Sequence, residues 1–245
     1  MALFSFSTPD EMADAVCNTF GTYIKELIQC KEQIHLAISG GTTPRLFFEK
    51  LAACQKDAST STDWTRIHIF WVDERCVPPG HVDSNYGMTR KLLLDDLKLP
   101  ENQVHRIHGE DDPVKESRRY EHEIRSVFQE PAGMPVFDWI FLGIGDDGHT
   151  ASIFPDRLDL IESKDLCAVA RHASSDRFRV TLTGPILKNA RRISFLVTGA
   201  KKSEIIRQII LEEPVAKRFP AFYIKPKNGN LDWYLDASAA KQLNL

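Results

Sequence analysis

A histidine behind a glycine-rich stretch is the residue in this sequence best suited to catalysis. The stretch is GIGDDG at 143–148, it follows a strongly apolar run, and it ends at His149. An imidazole with an ordinary pKa near ~6.5 can both accept and donate a proton around neutrality. We therefore predict His149 as a general acid and base, with Asp147 orienting its ring or stabilising its charged form. The alternative is a glycine-rich loop with an incidental surface histidine.

A second candidate is the segment SGGTTP at 39–44, which follows another apolar run. Paired glycines let backbone N–H groups approach an anion, and a helix beginning at the threonines adds its positive end. The predicted binding residues are Ser39, Gly40, Gly41, Thr42 and Thr43. The chain has no GxxxxGK[ST] and no GxGxxG that opens a helix after a strand, so the predicted ligand is a phosphate on a small molecule rather than a nucleotide. The alternative is a plain glycine turn whose threonine caps a helix.

The third candidate combines DER at 73–75 with DSNY at 83–86. A guanidinium held by neighbouring carboxylates is well suited to grip phosphate, so Arg75 is the predicted phosphate fork. Asn85 is predicted to bond sugar hydroxyl groups. The alternative is an ordinary solvated loop from Asp73 to Asp83.

The other histidines have weaker claims to a function. His105 and His108 could suggest a metal pair, but no third ligand stands at convincing spacing, so we predict surface histidines and no metal site. His35 and His68 lie inside apolar strands and are predicted to be core residues with satisfied hydrogen bonds. His81 follows Arg75 in the same loop, and its role stays open.

The elements that must position these residues are short apolar strands alternating with amphipathic helices. Strands are predicted at 34–38, 67–72, 138–142, 178–182 and 193–198, and helices at 9–28, 46–53, 84–97, 113–128 and 201–211. This alternation is typical of an α/β fold with a mostly parallel sheet covered on both faces. Ligands of such folds bind beyond the carboxyl ends of the strands, where all three candidate loops are expected to lie.

Composition narrows the class of protein. The 245 residues are 42% apolar and 27% charged, and the net charge of −3 provides no general basic field for nucleic acid or an anionic membrane. We predict one domain, 1–245, without a membrane span or signal peptide. The five scattered cysteines contain no C-x-x-C pair and favour a reducing compartment, so the predicted location is the cytoplasm.

Taken together, the candidate loops resemble those of the 6-phosphogluconolactonase family. The resemblance covers nearly the whole chain in the right order, and its most specific segment is GIGDDGHTASIFP. The matching segments are SGGTTP at 39–44, DER at 73–75, DSNY at 83–86, GIGDDGHTASIFP at 143–155, RVTLT at 179–183, TGAKK at 198–202 and WYLDASAA at 233–240. Departures are mild: Thr42 stands where serine is common, and Val72 where glycine is common.

The resemblance implies a single three-layer α/β/α domain of modified Rossmann type, shared with glucosamine-6-phosphate deaminase, ribose-5-phosphate isomerase and CoA transferases. It also implies hydrolysis of 6-phospho-D-glucono-1,5-lactone, a step of the oxidative pentose phosphate pathway, without a cofactor or an obligate protein partner. The 6-phosphate would lie against Arg75, Arg179 and Lys202. Backbone N–H groups in the segment Gly145–Gly148 are expected to stabilise the oxyanion, and the sequence does not show their direction.

Two other functions are compatible with the same fold. One is glucosamine-6-phosphate deaminase, which carries a related G-D-G-H loop. That family tends to have tyrosine where Arg75 stands and F-N-E-P where SIFP stands at 152–155. The other is a non-catalytic sugar-phosphate sensor, which would be expected to lose His149 or Asp147.

Overall fold

Seven parallel strands form the main sheet, in the order β1-β10-β9-β6-β2-β3-β5. The structure is a computed structural model that describes residues 1–55, 62–97, 99–172 and 176–243. The strands of this sheet are β1 (Ala2–Phe6), β2 (Ile34–Ile38), β3 (Ile67–Trp71), β5 (Val104–His105), β6 (Trp139–Leu142), β9 (Arg192–Val197) and β10 (Asn230–Asp236). Strands β2, β3 and β6 are buried along their whole length, as expected for apolar runs covered on both faces. The predicted parallel sheet is confirmed.

Helices flank the sheet, and aromatic side chains attach them to it. The helices are α1 (Pro9–Cys30), α2 (Thr42–Cys54), α3 (Asn85–Thr89), α4 (Asp95–Leu97), α5 (Pro113–Val127), α6 (Gly184–Lys188), α7 (Ser203–Ile210) and α8 (Pro220–Tyr223). Phe20 of α1 packs on Trp139 of β6, and Phe47 of α2 packs on Phe141 of the same strand. Tyr120 of α5 instead contacts Phe70 of β3. Among the described helices, none combines the length and the apolar character needed to cross a membrane.

A second, antiparallel sheet was not predicted from the sequence. It contains β4 (Asp73–Arg75), β7 (Cys167–Arg171) and β8 (Phe178–Leu182), in the order β4-β8-β7. The predicted solvated loop from Asp73 onward is therefore wrong at its start, because residues 73–75 pair with β8. Val72 joins the two sheets: its N–H donates to Ile38 O at 3.0 Å, and its carbonyl accepts from Leu182 N at 2.7 Å. The backbone thus passes directly from the main sheet into the second one.

The histidines of the main sheet form a buried cluster instead of a surface group. His105 was predicted to be on the surface, but it is only 5% exposed and stacks on Phe70 at 4.3 Å. Its Nε2 lies 2.9 Å from Nδ1 of His68, and its Nδ1 lies 2.8 Å from Glu123 Oε1. His35 is buried beside them, but its Nε2 has no hydrogen-bond partner, so the prediction of a fully satisfied core histidine is wrong for that atom.

These buried imidazoles predict a loss of stability in acid. Burial lowers the pKa of His35 to about 3, with the nearby His68 adding to the effect, and burial lowers the pKa of His68 to about 4. The unfolded chain therefore binds more protons than the folded one between these values and the ordinary pKa of ~6.5. Stability is fully present above that upper value and falls as the pH drops, by up to about 1.4 kcal/mol per pH unit for each histidine.

The variant His35→Phe should flatten this dependence, because phenylalanine keeps the stacking on Phe128 and does not titrate. We expect the free energy of urea unfolding to fall less between about pH 7 and about pH 5 than it does in the original chain. His122→Phe, at an exposed position of α5, is the control. An unchanged slope in His35→Phe would remove His35 from the acid response.

Candidate active site

A cleft opens at the carboxyl ends of adjacent parallel strands. The segment at 39–44 follows β2, the glycine-rich loop follows β6, and the segment at 198–202 follows β9. The space between them is about 610 Å³, including solvent at the mouth. It is lined by Ser39, Gly40, Gly41, Thr42, Thr43, Pro44, Asp73, Arg75, Asn85, Gly143, Ile144, Gly145, His149, Ala151, Arg179, Leu196 and Lys202. All of the predicted site residues except Asp147 therefore line one cleft, and Asp147 contacts His149.

Two arginines stand side by side on one wall. Arg75 of β4 and Arg179 of β8 are register partners in the second sheet. The Nε atoms of both guanidinium groups are buried and have no hydrogen-bond partner. Arg75 uses one terminal nitrogen to donate to Asp83 O at 2.6 Å. Two adjacent, partly buried and only partly bonded guanidinium groups gain from an anion that joins them, so this wall is suited to phosphate.

A third cation completes the group at the same cleft. Lys202 follows β9, and burial lowers its pKa, an effect that the charge of Asp146 opposes. Burial likewise lowers the pKa of Arg179, while Asp73 opposes the shift and Arg75 adds to it. An incoming anion relieves the mutual repulsion of these cations, so the cluster is arranged to gain from binding one.

The carboxylate of Asp73 connects the arginine wall to the histidine loop. Its Oδ2 accepts from Ser152 Oγ at 2.6 Å and lies 3.6 Å from a terminal nitrogen of Arg179. Ser152 also donates its backbone N–H to Thr181 Oγ1 at 3.0 Å. The side chains of Asp73, Ser152 and Thr181 are buried, and that of Arg179 is partly buried. Since Ser152 lies three residues after His149, these bonds set the distance between the imidazole and the arginines.

Glu74, the neighbour of Asp73, holds the segment at 84–86. Its buried carboxylate accepts from the backbone N–H groups of Asn85 and Tyr86, both at 2.8 Å, and from Ser84 Oγ at 3.0 Å. These donors belong to the first turn of α3, a position that favours a negative charge. Glu74 thus fixes the start of α3, a role that the sequence did not indicate.

The side chain of Asn85, which is predicted to contact sugar hydroxyls, is also fixed by a hydrogen bond within the protein. Its Nδ2 donates to Asp73 O at 2.9 Å, and its Oδ1 is buried without a partner. A Cβ on Gly40 would lie 1.8 Å from that Oδ1, so only glycine allows this approach. Asn85 therefore links β4 to the segment at 39–44, with one acceptor left for a ligand that enters the cleft.

The segment at 39–44 opens a helix, and no threonine caps it. Helix α2 begins at Thr42, and Gly41 precedes it with a φ of 113°, in the region that favours glycine. No side chain caps this helix by a hydrogen bond, so the alternative of a capping threonine is wrong. Thr43 Oγ1 instead lies 2.8 Å from Thr198 Oγ1. Thr42 and Thr43 of the first turn line the cleft, and the N-terminal end of a helix favours an anion.

His149 and Asp147 form a hydrogen-bonded pair. Nδ1 of His149 lies 2.5 Å from Asp147 Oδ1, which also accepts from the backbone N–H of His149 at 3.1 Å. Burial acts to raise the pKa of Asp147, but the hydrogen bonds and charge of His149 outweigh it and hold that pKa below its ordinary value. The carboxylate stays ionised and fixes the proton on Nδ1, which leaves Nε2 as the basic nitrogen.

Two glycines of the histidine loop are used to build it. Gly145 N donates to His149 O at 2.9 Å, and Gly148 N donates to Gly145 O at 3.0 Å. The loop therefore uses these two N–H groups itself, and the expectation of oxyanion donors within the segment 145–148 stays a prediction. A Cβ on Gly145 would lie 2.2 Å from the His149 ring, so this glycine also makes room for the imidazole.

Several residues in or beside the cleft have functions that the sequence did not predict. Asp73 and Ser152 stand inside segments that the sequence singled out, but their pairing joins positions 79 residues apart. Leu196 lies in a buried strand, where no local pattern distinguishes a lining residue from a core residue. His108, for which the sequence predicted no function, does not line the cleft. Its Nδ1 lies 3.5 Å from Asp111 Oδ2.

Comparison with known proteins decides the family. The model of the family described as glucosamine-6-phosphate isomerases/6-phosphogluconolactonase matches residues 7–233. The chain belongs to this family.

Within the glucosamine-6-phosphate isomerase/6-phosphogluconolactonase family, a curated relative is the 6-phosphogluconolactonase of Haemophilus influenzae. It is 38% identical over 243 residues, which cover 99% of this chain and 100% of the relative. Among solved structures, the devB protein superposes with a TM-score of 0.90 at 37% identity and 99% coverage of both chains.

A monomeric glucosamine-6-phosphate deaminase also shares the fold. Its structure superposes with a TM-score of 0.78, covers 98% of this chain and is 20% identical, a level that shows the fold alone. The predicted α/β architecture is thus confirmed across this family.

The bond between Ser152 and Asp73 predicts a measurable loss on Ser152→Ala. This variant leaves a buried carboxylate oxygen without its 2.6 Å donor. Hydrogen bonds to charged groups contribute about 1.5–3 kcal/mol, so the free energy of unfolding should fall by about that amount. Urea unfolding measures it, with Ser126→Ala at an exposed position of α5 as control. A Ser152→Ala variant as stable as the control would contradict the role given to this bond.

Proposed function

We propose that this chain hydrolyses 6-phospho-D-glucono-1,5-lactone to 6-phospho-D-gluconate, the second step of the oxidative pentose phosphate pathway. The observation that carries the proposal is one cleft with an oriented imidazole on one side and unpartnered guanidinium nitrogens on the other. Such a cleft fits a substrate with a reactive ester at one end and a phosphate at the other. The curated relative matched over its full length carries the name of this activity.

The phosphate is assigned to Arg75, Arg179 and Lys202. These residues supply the positive charge that the net charge of −3 does not. The first turn of α2 adds backbone N–H donors, and Ser39 and Thr43 place hydroxyl groups beside them. Binding energy from this remote group holds the lactone carbonyl near the imidazole, which removes much of the entropic cost of bringing the reactants together.

His149 acts as the general base and then as the general acid. Its Nε2 takes a proton from a water molecule as the water oxygen attacks the C1 carbonyl. The tetrahedral intermediate then collapses with cleavage of the bond between C1 and the ring oxygen, and the imidazolium returns the proton to that oxygen. Asp147 stabilises the imidazolium between the two transfers. Water and one imidazole suffice for this sequence, so no cofactor or metal enters the proposal.

We place the reaction in the cytoplasm, with the sugar-phosphate lactone as the only partner. None of the five cysteines, all of which lie in the described residues, forms a disulfide. We also propose that residues 1–245 act as one domain, since a single hydrophobic cluster contains buried residues from Met12 to Ala240.

The variant His149→Ala should lower turnover by at least ~10²-fold, because general acid–base catalysis is typically worth 10²–10⁴-fold. A coupled assay of lactone disappearance, corrected for the uncatalysed rate, measures it. Binding of 6-phosphogluconate by calorimetry should stay close to that of the original chain, and His122→Ala is the matched control. Near-normal turnover would refute the assignment. Release of ammonia from glucosamine 6-phosphate, with no lactone hydrolysis, would favour the deaminase.

The variant Arg75→Ala should mainly weaken substrate binding. Loss of a charge-assisted hydrogen bond worth about 1.5–3 kcal/mol predicts a KM increase of about 10- to 100-fold. Arg118→Ala, at an exposed position of α5, is the control for the loss of one positive charge. An unchanged KM in Arg75→Ala would take this residue out of the phosphate site.

A further inference from the structure

A second cavity borders His149, which also lines the cleft. Its lining residues are Asp146, Asp147, His149, Phe154, Pro155, Asp156 and His172. The space is about 1120 Å³, again including solvent at the mouth. His149 belongs to the linings of both cavities, so one face of the reaction centre meets the cation cluster and another meets this second space.

The two cavities carry opposite charge. The first contains Arg75, Arg179 and Lys202, whereas the second contains three aspartates and no lysine or arginine among its lining residues. A phosphate is therefore attracted to the first cavity and repelled from the second. Carboxylates and neutral imidazoles accept hydrogen bonds, which makes the second cavity suited to hydroxyl groups.

Three rings that contact one another line the second cavity. The Phe154 ring packs against His149 at 4.9 Å and edge-on against His172 at 5.0 Å, and the two imidazoles are 6.3 Å apart between centroids. The guanidinium of Arg179 lies 5.7 Å from the Phe154 centroid. One aromatic side chain thus contacts the proposed base, the phosphate wall and His172.

The backbone around His172 is also held. Its N–H donates to Arg177 O at 3.0 Å, and its carbonyl accepts from Asp176 N at 2.9 Å. Burial lowers the pKa of His172, and the charges of Arg179 and His149 lower it further. A neutral imidazole can donate or accept a hydrogen bond, and so can a hydroxyl group.

We propose that the second cavity is the subsite for the C2 and C3 hydroxyl groups of the lactone, with His172 bonding the C2 hydroxyl. The inference rests on the proposed function. In a 1,5-lactone, C1 has two ring neighbours: the ring oxygen, which leads to C5 and the phosphorylated C6, and C2. With the phosphate at the arginines and C1 at His149, C2 and C3 extend away from the cations, into the space beside His172 and Asp156.

The test compares two substrates that differ only at C2. Glucose 6-phosphate dehydrogenase generates 6-phosphogluconolactone from glucose 6-phosphate and its 2-deoxy analogue from 2-deoxyglucose 6-phosphate, within the assay. We expect the original chain to prefer the hydroxylated lactone in kcat/KM by about 3- to 10-fold, the size of one neutral hydrogen bond. His172→Phe should bring that ratio close to one, and His172→Gln, which keeps a donor and an acceptor, should restore part of it.

The outcomes separate the subsite from the activity. If His172→Phe lowers kcat/KM equally for both lactones, or if the original chain does not distinguish them, the subsite is overturned while the activity stands. If the original chain hydrolyses neither lactone above the uncatalysed rate, the proposed function itself fails. His122→Phe, at an exposed position outside both cavities, is the control and should keep the original ratio.

Discussion

The hydrogen bond between Asp73 and Ser152 is the contact on which the rest of the cleft depends. It joins the start of the second sheet to the loop that carries His149, and both partners are buried. A charged hydrogen bond between two buried side chains is strong and directional, because little solvent competes for either partner. The distance between the base and the arginines is therefore set by packed structure and not by a mobile loop.

The arginine wall, formed by Arg75 and Arg179, brings two positive charges close together. The antiparallel pairing of β4 with β8 brings Arg75 and Arg179 together, and the carboxylate of Asp73 lies 3.6 Å from a terminal nitrogen of Arg179. Part of the wall's hydrogen-bonding capacity is unused within the protein. A site prepared in this way does not reorganise when an anion arrives, which is what a phosphate anchor needs in order to position a distant ester.

The opposite charges of the residues that line the two cavities favour a single orientation of the proposed substrate. Cations attract the phosphate on one side of His149, and aspartates favour hydroxyl groups on the other. The hydrolysis also creates a new carboxylate at C1, close to Asp147. Because like charges repel at short range, an arrangement that accepts the uncharged lactone ring disfavours the carboxylate that replaces it in the product.

Much of the fold and of the cleft could be predicted from the chain alone, since they depend on local patterns. Buried apolar runs such as Ile34–Ile38 indicate parallel strands, and polar segments after them indicate the edge at which His149, Arg75 and the residues at 39–44 meet. Pairings between distant positions could not be predicted in this way. The tertiary structure alone decided that Asp73 bonds Ser152, that Arg75 lies beside Arg179, that His105 is buried and that the N–H groups of Gly145 and Gly148 are used within the loop. Such contacts depend on which strands become neighbours, and a strand's own residues encode its burial and period but not its partner.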